Sequence, residues 1–105
     1  MNNQSNPEYM NDINVRLSLQ RALLCEISPN LRLVAFDYDK LKKEIFLYFY
    51  FDKQITDENK SSVNSIAGEV TGDFDEKTQV VEKCIHLDFP ARLPAHQFSV
   101  YHRKE

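Results

Sequence analysis

The chain has 105 residues, 42% hydrophobic and 28% charged, which is the length of one domain and too apolar for a disordered segment. Sixteen acids against thirteen bases leave a net charge of −3, without the basic stripe expected of a nucleic-acid binder of this size. The longest apolar run, Ile45 to Phe51, is too short to span a bilayer, and two glycines exclude both P-loop and dinucleotide-binding fingerprints.

Residues 1–10 are polar, contain Pro7, and read as a flexible leader before a single α+β domain over 11–105. The first dozen residues lack the basic and apolar regions of a secretory signal, so the expected compartment is cytoplasmic. From Asn11 the pattern turns helical: Val15, Leu19, Leu23 and Ile27 recur every four residues, with Leu17 and Leu24 widening the stripe. A helix over about 12–27 is predicted, capped by Asn11 or Asp12 and stopped by Pro29. Leu31–Asp39 and Glu44–Asp52 are rich in β-branched and aromatic residues and read as a hairpin. Thr56 caps a second helix, with Val63, Ile66, Ala67, Val70 and Phe74 as its apolar face. Gly68 inside that helix suggests close approach of another backbone. Val80–Phe89 and Gln97–Arg103 are the last two strands. The expected fold is a two-layer sandwich in α-β-β-α-β-β order, two helices on a four-stranded, mostly antiparallel sheet.

Two surfaces stand out. From Asp52 to Glu76 seven acids face two lysines, a local charge of −5. Asp57, Glu58, Glu69, Asp73, Asp75 and Glu76 are then either a solvated helix face or a docking surface for a basic partner. The second surface is the sheet face away from the helices. Ile45, Leu47, Phe49 and Phe51 alternate with Phe46, Tyr48 and Tyr50, so one set serves the core and the other faces away. With Val81, Ile85, Leu87 and Phe89 assigned to the core side, the open face would present Tyr48, Tyr50, His86, Asp88, Tyr101 and Arg103. Such a patch fits a protein interface, a self-associating adaptor included; the alternative is a central strand buried on both sides.

Catalytic chemistry is sparse. His86 and Asp88 could form an oriented His–acid pair, but alternating polar residues on any open strand generate that signal. Cys84 with His86 is half a zinc site at most, so no metal or other cofactor is expected, and no catalytic residue is assigned. Cys25 and Cys84 form no CxxC pair and read as reduced thiols, Cys25 as a small core side chain, while His96 reads as a surface loop residue. The expectation is a binding module, not an enzyme.

Several segments resemble a known family: Leu17–Ile27 (LSLQRALLCEI), Leu31–Phe36 (LRLVAF), Glu44–Asp52 (EIFLYFYFD), Ser65–Phe74 (SIAGEVTGDF), Ile85–Pro90 (IHLDFP) and Val100–Lys104 (VYHRK). They are similar to small bacterial proteins encoded beside polymorphic toxins, the immunity proteins of contact-dependent growth inhibition. The resemblance implies a cytoplasmic protein that binds a cognate toxin domain, often a cationic nuclease, and neutralises it. It carries over no binding residue by position; from composition, neither direct nucleic-acid contact nor a membrane is expected, and a homodimer stays open.

Overall fold

The computed structural model describes residues 9–105. Its elements are α1 (Asp12–Ala22), β1 (Leu31–Asp39), β2 (Glu44–Phe51), α2 (Asp57–Asp73), β3 (Gln79–His86) and β4 (Phe98–His102). Eight of the ten expected leader residues, 1–8, lie outside this description; of the other two, Tyr9 is exposed and Met10 is buried in the core.

The four strands form one sheet in the order β3-β2-β1-β4. β1 pairs antiparallel with β2 and with β4, whereas β3 runs parallel to β2. The sheet is therefore mixed, and α2 is the crossover that a parallel pair requires. β3 and β4 end up on opposite edges, so the connection between them, residues 87–97, has to cross the whole sheet.

Both helices pack on one face. Val15 and Leu19 of α1 and Ile66 and Val70 of α2 meet Val34, Phe36, Ile45, Leu47 and Phe49 of the central strands, all at most 1% exposed. Burying each such side chain contributes about 1.5–3 kcal/mol. The caps follow the sequence. Asn11 accepts from the Asn14 N–H at 2.8 Å, and Thr56 with Asn59 forms a reciprocal capping box. Asn59, 4% exposed, also bonds Ser28 and Asn30, which bolts the start of α2 to the loop before β1.

Three local expectations change. α1 ends at Ala22, not 27, because the chain turns out of the helix and Cys25 takes a left-handed conformation, φ 66°. Leu24 and Ile27 therefore swing away from the core, and Cys25 is an exposed thiol, not a core side chain. Gly68 is also exposed, and a Cβ built there would meet nothing within 4 Å, so no backbone approaches it.

Candidate functional site

Strand register decides which side chains share a face, since residues side by side on neighbouring strands point the same way. In the parallel pair, Tyr48 lies beside Lys83 and Tyr50 beside Ile85, while Phe49 lies beside Cys84 and Phe51 beside His86. The assignment of β3 is thus the reverse of the expected one. Val80 and Cys84 pack toward the helices, and Val81 and Ile85 share the other face with Phe46, Tyr48 and Tyr50. Tyr101 moves as well. A bulge at Val100 shifts the β1–β4 register, which sets Tyr101 beside Val34 on the helix side.

The face away from the helices is occupied by the chain itself. His96, on the crossing segment, stacks on Tyr48 with ring centres 5.0 Å apart, and its Nε2 lies 2.8 Å from the Tyr50 hydroxyl. His96 is therefore a half-buried partner of both tyrosines instead of a free loop residue. Tyr50 is 6% exposed, and its burial pushes the phenol pKa up. β2 is thus packed against the helices on one side, and on the other His96 lies over Tyr48 and Tyr50 while Phe46 stays partly exposed.

The remaining residues of the expected patch gather at the end of the sheet where β2 and β3 finish. His86 Nε2 lies 2.7 Å from Asp88 Oδ1, and the same oxygen accepts the Lys53 N–H. Asp52 reciprocates by accepting the Phe89 N–H, so the segments after β2 and β3 staple each other. Arg103 donates to Pro29 O, Asp52 and Glu105. Hydrogen bonds from His86 and from the Phe89 N–H hold Asp88 and Asp52, respectively, below the usual carboxylate range. His86 and Asp88 have side chains 49% and 62% exposed, an open surface pair spent on loop anchoring rather than enclosed with a substrate cavity.

Beneath this end lies a residue that sequence reasoning passed over. Arg32 is 2% exposed and donates to Leu87 O at 2.8 Å, to Ala91 O at 2.9 Å, and to both carboxylate oxygens of Glu105. Its guanidinium also lies 5.7 Å from the Phe89 ring centre. Nothing local in the sequence marks it, because its partners are 55 to 73 residues away.

The acids divide into two groups. Asp57 and Glu58 sit in the first turn of α2, and Glu69 and Asp73 lie toward its last turns, roughly 16–24 Å along the axis. Asp73 is consumed by Ser18 and Arg21 of α1, and Asp75 by Lys43, whose hydrogen bond is the main cause of its lowered pKa. Among the described residues, Asp57, Glu58, Glu69 and Glu76 are exposed without an ion pair, so the free negative charge is four of the six predicted residues, not a single patch.

A second surface was hidden by the longer predicted helix. Ile13, Leu17, Leu24 and Ile27, along α1 and the turn after it, are 63%, 45%, 73% and 45% exposed. Among the described residues, no helix is long and apolar enough to cross a membrane, and no three metal-ligating side chains come together.

Comparison with known proteins gives one family. The family model described as MafI2 immunity protein matches residues 12–105. No curated protein matches the chain.

Proposed function

The chain belongs to the MafI2 immunity protein family, and from that premise we propose that it neutralises a cationic nuclease toxin domain by tight, non-covalent association in the cytoplasm. The observation that carries the reading is the family match over 12–105, which covers both layers of the sandwich. A nuclease grips phosphates with lysines and arginines, so an inhibitor gains from complementary negative charge. The net −3 and the unpaired acids Asp57, Glu58, Glu69 and Glu76 support that pairing. Inhibition would come from occupying the toxin's surface, and the His86–Asp88 pair would remain a loop staple.

The test is to express the tagged chain in its own host and identify what copurifies. The reading expects a basic toxin domain in about one-to-one amount, released by denaturant or by salt well above physiological strength. Recovery of the chain alone, or only as a self-associated species, would contradict it.

A further inference from the structure

We propose that two adjoining grooves around the turn 23–30 are the docking site for the toxin domain, an inference that rests on the toxin-binding reading above. The first groove, about 250 Å³, is walled by Leu24 and Ile27 on one side and by Val100 and Tyr101 of β4 on the other. The second, about 340 Å³, opens between the same turn and the start of α2 and carries Glu26 and Glu58. Cys25 and Ile27 line both, so the apolar and acidic halves are continuous.

No lysine or arginine lines either groove, and among the described residues neither Glu26 nor Glu58 makes an ion pair. The surface therefore offers an apolar socket with two uncompensated carboxylates beside it. The fitting occupant is a protein surface with an apolar side chain flanked by arginine or lysine, the kind carried by a phosphate-gripping domain. A second copy of this chain, at net −3, would bring like charge instead. The walls are held in advance: Asn59 ties α2 to Ser28 and Asn30, and Arg103 donates to Pro29 O at 2.9 Å. Pre-set walls lower the ordering cost of association.

The probe is the toxin domain encoded beside this chain's gene, inactivated by mutation and immobilised for binding kinetics. Leu24→Ala truncates a side chain that is 73% exposed, so the melting temperature should hold while Kd rises about tenfold or more. Glu26→Lys with Glu58→Lys should slow association about tenfold at low salt, with the difference shrinking as salt screens the charges. Without any substitution, bound toxin should slow alkylation of the exposed Cys25 thiol about tenfold, with the site of modification located by mass spectrometry. Wild-type binding combined with variant affinities within about twofold and an unprotected Cys25 would overturn the grooves while leaving the toxin reading intact. A wild-type chain that does not bind the domain would overturn that reading, and the grooves with it.

Discussion

Replacing Arg32 by Met removes the guanidinium and keeps most of its aliphatic volume, so the change isolates the polar anchoring of the segment that crosses the sheet. Two bonds to backbone carbonyls disappear, to Leu87 O at 2.8 Å and to Ala91 O at 2.9 Å. Bonds from a charged donor contribute about 1.5 kcal/mol each at the low end, which gives about 3 kcal/mol. Glu105 keeps its hydrogen bond from Arg103 once the Arg32 guanidinium is gone, so its loss adds little to that figure. A domain of this size loses roughly 4–8 °C of melting temperature per kcal/mol, and the expected fall is therefore roughly 12–24 °C. The assay is thermal unfolding followed by circular dichroism, paired with amide hydrogen exchange. The Ala91 N–H, which donates to Asp88 O inside the anchored segment, should exchange faster in the variant. A melting temperature within about 3 °C of wild type, with Ala91 exchange unchanged, would refute the assignment of Arg32 as the anchor.

Three further expectations follow from the same geometry. Gly68→Ala should raise stability by about 1 kcal/mol in chemical denaturation, since the site is a helix interior with open space where the methyl group would go; a loss would mean that the space is occupied. Asp52, Asp75, Asp88 and Glu105 all have folded pKa values below their ordinary ones, so the stability they contribute is present above the ordinary carboxylate pKa and is lost as pH falls through the depressed folded values. Melting temperature should accordingly be flat from neutral pH down to about 5 and fall below about 4, and a rise on acidification would contradict the sign. Asp75→Asn, which breaks the Lys43 contact, should change stability and not toxin association, whereas Glu69→Lys should leave stability alone and slow association if the free face of α2 steers the partner; stopped-flow mixing and thermal melts separate the two.

The elements were legible wherever one periodicity ran long enough. Val63, Ile66, Ala67 and Val70 marked α2, the alternation from Ile45 to Phe51 marked β2, Thr56 announced its cap, and of the two candidates for α1 the cap is Asn11, not Asp12. What escaped depends on pairing rather than on local pattern. β3 carries apolar residues at Val80, Val81, Cys84 and Ile85, which lie on both faces, so only its parallel register against β2 says which ones point to the helices. One extra residue at Val100 was enough to move Tyr101 to the other side. The early end of α1 has no proline or glycine to signal it, because Cys25 takes up the left-handed turn, and that hid the exposure of Leu24 and Ile27. Arg32 and His96 found their partners through the crossing segment, whose path follows from strand order and not from composition.

The most direct test of the toxin-neutralising function is a titration of the toxin domain's own activity with this chain. The domain encoded beside the gene would be assayed for nucleic-acid cleavage at fixed concentration while the purified chain is added in steps. The expected curve falls linearly to zero at about one equivalent and is restored by raised salt, as tight binding through complementary charge requires. Cleavage that continues undiminished at a several-fold excess of folded chain would contradict the account.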